Sequence, residues 1–195
     1  MANHADNDFR AAAQALMDVV APAIDAHNPL ARQQLKLVVD WLHFYRSRLP
    51  YNQDRERLEL EVQLEMARAV AAAAPDAAAT ALRAVIDGAA TVHARLGPRP
   101  VEVRAVTARL EDEISALVRL SPTFDEPARR SIERVVVRDT KALLDAQRAW
   151  FLPQSIEPDP GAIPPLEVAL RLRPPTVFPL NISPPNVSPP EEPKP

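Results

Sequence analysis

The sequence predicts an all-α protein, a six-helix bundle followed by an extended proline-rich tail. Apolar residues recur every three or four positions in six segments, which is the spacing of one helix face. Only 3 glycines are available for tight turns, and prolines lie mostly where these segments begin or end. Their similar lengths and short connections favour antiparallel neighbours in an up-and-down bundle, with an irregular orthogonal arrangement as the alternative.

The six helices are predicted at residues 6–26, 29–49, 53–74, 76–96, 100–120 and 124–151. Asn28 and Pro29 start the second helix as an N-cap and a proline at the first helical position, and Pro100 starts the fifth. Thr123 to Glu126 has the pattern of a capping box ahead of the sixth. Helices 2 and 4 each carry a regular apolar face: Ala31, Leu35, Val38, Leu42, Tyr45 and Leu49 in one, and Ala78, Leu82, Val85, Ala89, Val92 and Leu96 in the other.

The third helix carries apolar residues on two sides. Leu58, Val62, Met66 and Val70 form one stripe, and Leu60 and Leu64 point to the opposite side. Either this helix is central and buried on both sides, or its second stripe meets another subunit or a partner.

Proline divides the chain into a helical domain, residues 1–152, and a tail, residues 153–195, which holds 14 of the 22 prolines. Paired prolines favour extended or polyproline II backbone. Within the tail, LEVALRLR alternates as a half-buried strand does, and Asn-aliphatic-Ser-Pro-Pro occurs twice from residue 181. The tail is therefore either a spacer or an arm that docks on a partner. The candidate contact residues are Leu166, Val168, Leu170, Leu172, Val177, Phe178, Leu180 and Ile182.

Composition excludes several classes of function. The chain has no cysteine, so disulfides, zinc–thiolate sites and thiol nucleophiles are absent. No apolar stretch approaches the ~20 residues of a membrane span, no secretion signal is visible, and a cytoplasmic protein is expected. A net charge of −3 gives no general attraction to nucleic acid. The basic edge of the sixth helix is interspersed with acids and is interpreted as a solvated face; its members are Arg130, Arg134, Arg138, Lys141 and Arg148.

Two polar residues fall within apolar helix faces. Asp139 lies among the apolar positions of the sixth helix, and His93 lies among those of the fourth. A buried carboxylate needs a partner, because removing the ion from water is costly. One hypothesis is a buried His93–Asp139 pair that lines a pocket. The other, which we favour, is that each bonds a different neighbour, such as an arginine.

Four of the nine aromatic residues cluster in the stretch DWLHFYRSRLPY: Trp41, Phe44, Tyr45 and Tyr51. Such a group either anchors a ligand or partner or, as we favour, closes one end of a bundle. The nearby Asp40 and His43 have a metal-ligand spacing, but both share the polar arc of helix 2 with Arg32 and Lys36. No cofactor or metal site is predicted.

The leading functional hypothesis is a non-enzymatic interaction protein that binds a protein partner or its own copy through the C-terminal arm, above all residues 163–182. The alternative is a small-molecule-binding or catalytic bundle with a pocket around His93 and Asp139.

Overall fold

The computed structural model of the protein describes residues 4–172, and all regular secondary structure in that range is helical. Helix α1 is His4–Ala15, continued by a π-helical turn Leu16–Val20 and by Ala21–Ala23; the other long helices are α2 Pro29–Arg48, α3 Asn52–Ala73, α4 Asp76–Ala94, α5 Pro100–Leu120 and α6 Glu126–Phe151. A one-turn helix, α7, is Leu166–Ala169. The predicted all-α class and six helices are confirmed.

Helices α2 and α6 each begin at a residue whose side chain caps the helix, with one difference from expectation. The side-chain oxygen of Asn28 accepts a hydrogen bond of 3.0 Å from the Ala31 N–H, as predicted for the start of α2. The capping box predicted at Thr123 is wrong, because that residue belongs to a 3-10 turn and its hydroxyl donates to the Leu120 carbonyl. Asp125 is the N-cap of α6 and accepts from the Ala128 N–H at 2.8 Å. A carboxylate at this position satisfies a free amide and complements the helix dipole.

The π-helical turn at Leu16–Val20 comes just before Pro22 in the chain. Pro22 lacks an N–H, and in a regular α-helix its ring would clash with the carbonyl four residues earlier, that of Asp18. The wider turn at Leu16–Val20, which ends in a bond from the Ala21 N–H to the Leu16 carbonyl, relieves this clash.

Helix α3 is the centre of the fold. It packs against α4, α5 and α6, and α4 also packs against α5. Both of its apolar stripes are buried, Leu60 and Leu64 as completely as Leu58 and Val62. The open question about the second stripe is settled in favour of a helix that is buried on both sides.

The buried side of α3 also holds one amide. Gln63 is buried, and its Nε2 donates to a carboxylate oxygen of Glu111 on α5 at 3.1 Å. Partial burial raises the pKa of Glu111, and the nearby Glu59 carboxylate raises it further, although the Gln63 hydrogen bond opposes both effects.

Two hydrophobic clusters make up the core of the described residues. The larger one lies among α3, α4 and α5, with Ile132 of α6. The second, which we call the end cluster, joins α2, α3, α6 and the segment after α6; its buried members are Phe44, Leu58, Val62, Ala146, Ala149, Trp150, Ile163, Leu166 and Leu170.

Helices α1 and α2 form a hairpin at the side of this core. They pack against each other, and the Arg46 guanidinium joins them by bonding the Asp6 carboxylate at 2.7 Å. Phe44 is the residue of the hairpin that is buried in the end cluster. Within residues 4–172, no helix is long and apolar enough to cross a membrane.

Candidate functional site

The predicted aromatic residues of α2 do meet. The Trp41 and Phe44 rings are 5.4 Å apart and perpendicular, and Tyr45 lies 5.5 Å from each of them. Phe44 also stacks on Phe151 of α6, with ring centroids 5.5 Å apart. Phe44 is buried, whereas Trp41 and Tyr45 remain exposed. The group therefore both attaches α2 to the bundle and presents aromatic surface to solvent.

Tyr51 lies apart from this ring cluster and bonds the C-terminal segment. Its hydroxyl donates to a carboxylate oxygen of Glu167 at 2.7 Å. This hydrogen bond is the main reason that the pKa of Tyr51 is raised and the pKa of Glu167 is lowered. The bond fixes the start of α7 to the turn between α2 and α3.

The C-terminal segment does not leave the body at residue 153 but packs on it as far as residue 172. Ile163, Leu166 and Leu170 are buried in the end cluster, and Arg171 bonds Glu61 of α3 at 2.8 Å. The predicted strand is wrong in the described part, because Leu166–Ala169 is a helical turn. Leu166 and Leu170 are buried while Val168 is exposed, which fits the i, i+4 spacing of a helix, since in a strand all three would share one face.

The proposed contact residues of the arm are thus in different situations. Leu166 and Leu170 are occupied by the protein's own core, and Leu172 packs against the same cluster. Val168 is exposed. Val177, Phe178, Leu180 and Ile182 lie outside the described residues.

Arg48, the last residue of α2, was not recognised from the sequence as a site residue. Its Nε donates to the Trp150 carbonyl at 2.9 Å, and its guanidinium carbon lies 5.6 Å and 5.8 Å from the ring centroids of Phe44 and Trp150. The available signal was its spacing of four from Phe44, which places both residues on one side of the helix.

A cavity of about 630 Å³ lies beside Arg48, between α2 and the turn after α6. Its lining residues are Lys36, Asp40, His43, Phe44, Ser47, Arg48, Pro153, Gln154 and Ser155. The Lys36 ammonium and the Asp40 carboxylate form an ion pair of 2.5 Å at its edge. A second cavity, of about 560 Å³, lies between α1 and α2 around Met17, Leu35 and Val39.

Among the hydrogen bonds and ion pairs formed within residues 4–172, none joins His93 to Asp139. Asp139 accepts two bonds from the guanidinium of its neighbour Arg138, at 2.6 and 2.9 Å. His93 lies half-buried in the last turn of α4. Helix α4 packs against α3 and α5, whereas α6 packs against α3.

The basic edge of α6 is largely neutralised by acids. Arg130 pairs with Glu126, Arg138 with Asp139, Lys141 with Asp145 and Arg148 with Glu157. Such pairing weakens any attraction to a phosphate backbone. In the described range no group of three or more metal-ligating side chains is arranged to hold a metal ion.

Helix α2 exposes a row of large apolar side chains, which we call the α2 stripe. Its members, each 40 to 64% exposed, are Leu30, Leu37, Val38, Trp41 and Tyr45. On a helical wheel they cover one arc of about 100°, which also contains the uncharged Gln34 and, at the C-terminal end of the helix, the buried Arg48. Met17, Val19 and Val20 of α1 are exposed as well.

Comparison with known proteins gives no relative: no protein-family model matches the chain, and no curated protein or solved structure is significantly similar to it.

Proposed function

We propose that the protein is a non-enzymatic interaction protein that associates with its own copy through the α2 stripe. The observation that supports this proposal is the uncharged row of exposed apolar residues along a helix at the edge of the core. Trp41 and Tyr45 within it are the residue types that most often carry binding energy at protein interfaces. The largest exposed apolar patch of a protein is often a functional surface.

The chemistry of the stripe favours a second copy over a charged partner. In a two-fold symmetric dimer each surface meets itself, so a charged stripe would be repelled by its own copy. The α2 stripe is uncharged and is therefore compatible with itself. Two helical hairpins packed face to face also form a four-helix arrangement, which is a common way to bury such faces.

The size of the hairpin is adequate for such a dimer. Two helices of about 20 residues, each ~30 Å long and ~10 Å wide, present a face of roughly 600 Å². A corrugated face has a larger accessible surface than its projection, and stable interfaces bury about 800 Å² per partner.

The C-terminal arm remains part of the proposal from residue 173 onward. Leu172 packs at the end cluster that contains Phe44, and Phe44 contacts Trp41 of the stripe. An arm that starts here can add contacts beside the stripe, with Val177, Phe178, Leu180 and Ile182 as its apolar residues.

The expectations of a cytoplasmic location and of no nucleic-acid partner, which come from the sequence, also remain part of the proposal. The alternative pocket around His93 and Asp139 has no comparable support, since neither residue lines the two cavities described above.

Sedimentation equilibrium of the full chain over a wide concentration range tests this proposal. The wild type is expected to approach twice the monomer mass, and Leu37→Glu is expected to weaken association by at least about 100-fold, because two carboxylates would meet in an apolar interface. Val137→Glu is the matched control, since Val137 is 74% exposed on α6 and lies outside the stripe. A wild type that stays monomeric at every concentration, or equal weakening by both variants, would contradict the proposal.

A further inference from the structure

Arg48 is a buried cation without a close counter-ion. It exposes only 9% of its surface, and desolvation by this burial lowers its pKa, although nearby Tyr51 and Glu167 oppose the shift. Among residues 4–172 it forms no ion pair within 4.0 Å, whereas its neighbours Arg46 and Arg55 pair with Asp6 and Glu59. Buried charges in proteins are normally paired, because desolvation is otherwise uncompensated.

The carboxylate that influences Arg48 most is already engaged elsewhere. Glu167 attracts Arg48 only from beyond ion-pair distance, and it accepts the hydroxyl hydrogen of Tyr51 at 2.7 Å. Stacking between the Phe44 and Trp150 rings stabilises the guanidinium in part. Neither contact uses the terminal nitrogens of Arg48 as hydrogen-bond donors.

The terminal nitrogens of Arg48 reach solvent, and Arg48 lines the cavity. A guanidinium has five N–H donors, and the hydrogen bond that Arg48 makes within the described residues uses Nε. No fully buried side-chain nitrogen in that range lacks a partner, so the terminal nitrogens must reach solvent. Arg48 lines the 630 Å³ cavity, whose volume is typical of small-molecule sites.

The charge balance of the cavity defines the ligand. Lys36 and Asp40 neutralise each other, and the remaining polar lining residues other than Arg48 are His43, Ser47, Gln154 and Ser155. Apart from His43, the lining carries the net charge of one guanidinium, which matches a monoanion better than a dianion. The two terminal nitrogens of an arginine match the two oxygens of a carboxylate, and the Phe44 side chain provides an apolar wall.

We propose that this cavity binds a small organic monocarboxylate. The carboxylate accepts hydrogen bonds from the terminal nitrogens of Arg48, and the apolar part of the ligand packs against Phe44. This binding site is separate from the association surface proposed above, because the cavity and the α2 stripe share no residue.

Ligand-observed ¹⁹F NMR with the full chain tests the proposal, with 4-fluorobenzoate as the probe. Saturable binding at millimolar concentration or below is expected, and 4-fluorobenzamide, which has the same shape without the charge, should bind at least about tenfold more weakly. The dianion 4-fluorophenyl phosphate should not bind more tightly than the benzoate. Equal affinity of benzoate and benzamide, tighter binding of the phosphate, or no saturable binding of the benzoate would overturn the proposal.

Two variants assign the binding to Arg48. Arg48→Lys keeps the charge but removes the paired terminal nitrogens, and it should reduce benzoate affinity by at least about tenfold. Arg46→Lys makes the same change at an arginine of α2 that does not line the cavity, and it should leave affinity within about threefold. Retained affinity in Arg48→Lys would overturn the assignment.

A measurement on the wild type covers the case in which Arg48→Lys fails to fold. Benzoate should shift the Arg48 Nε–H resonance in a ¹H–¹⁵N spectrum selectively, while the side-chain resonances of Arg46 and Arg55 stay in place. An unmoved Arg48 resonance at saturating benzoate would show that the ligand binds elsewhere.

Discussion

Replacing Leu170 by alanine tests whether the segment after α6 belongs to the folded body. Leu170 is 3% exposed within the end cluster, and Val168, on the same helical turn, is 63% exposed. In the alternating strand suggested by the sequence, both side chains would lie on one face. The helical turn separates them, so Val168→Ala is a control that truncates an exposed aliphatic side chain on the same turn.

The expected loss follows from the burial of Leu170. Leucine-to-alanine changes in a core lower the free energy of unfolding by about 2–5 kcal/mol, depending on how far the site can collapse. Helix α7 is a single turn that can shift into the space left by the removed side-chain atoms. We therefore expect a loss of about 2–3 kcal/mol in the free energy of unfolding. For a domain of this size that corresponds to a decrease in Tm of roughly 4–12 °C. Val168→Ala should change the free energy of unfolding by less than about 0.5 kcal/mol.

Urea unfolding followed by the fluorescence of Trp150, in a Trp41→Phe background, measures these free energies. Trp150 is buried beside Leu170 in the end cluster. If α7 detaches before the bundle unfolds, the loss will appear as faster amide hydrogen exchange in residues 163–172 and not as an earlier global transition. Equal losses in the two variants, or a Leu170→Ala protein unchanged in both measurements, would refute the packing described here.

Two further predictions concern α3 and its neighbour. Leu60→Ala should lower the free energy of unfolding by about 2–5 kcal/mol without changing the oligomeric state, since the second stripe of α3 is core; sedimentation that changes while monomer stability does not would contradict this. Because the folded-state pKa of Glu111 is raised above its unfolded value, ionisation of Glu111 destabilises the fold, and this penalty develops as the pH rises from the unfolded pKa through the folded one. Glu111→Gln can still accept from Gln63, so it should be more stable than the wild type at about pH 8 and should lose this advantage near pH 4, with a difference below about 0.5 kcal/mol because the site is partly solvated. Urea titrations at the two pH values measure this, and a larger advantage at the acidic pH would count against it.

The helices were predictable because their signals are local. Proline positions, the Asn28 cap and apolar spacing are properties of neighbouring residues, and they located the six helices without knowledge of their packing. The centrality of α3 was a different matter. Leu60 and Leu64 indicated a second apolar side, but only the packing of α4, α5 and α6 around α3 decides that this side is buried.

The sequence is less informative about residues whose role depends on distant contacts. LEVALRLR alternates with period two, but Leu166 and Leu170 also satisfy the i, i+4 spacing of a helix, and the end cluster selects the helical spacing. Asp139 and His93 each lie on an apolar arc, yet a wheel does not reveal which helices are adjacent. Arg48 was not singled out from the sequence, because its burial results from Trp150, which lies 102 residues later in the chain.

The end cluster explains why the candidate features gather at one end of the molecule. Phe44 contacts Trp41 of the α2 stripe, and its ring lies against the Arg48 guanidinium. It also packs with the segment that leads to the arm. The two proposals can nevertheless fail separately, because Leu37 does not line the cavity and Arg48 is not part of the stripe. If Leu37→Glu abolishes association while benzoate binding is intact, the two surfaces act independently. If benzoate also changes the dimerisation constant of the wild type, the contact between Phe44 and Trp41 is the physical route by which the cavity and the stripe would be coupled, and Trp41→Leu should remove that dependence.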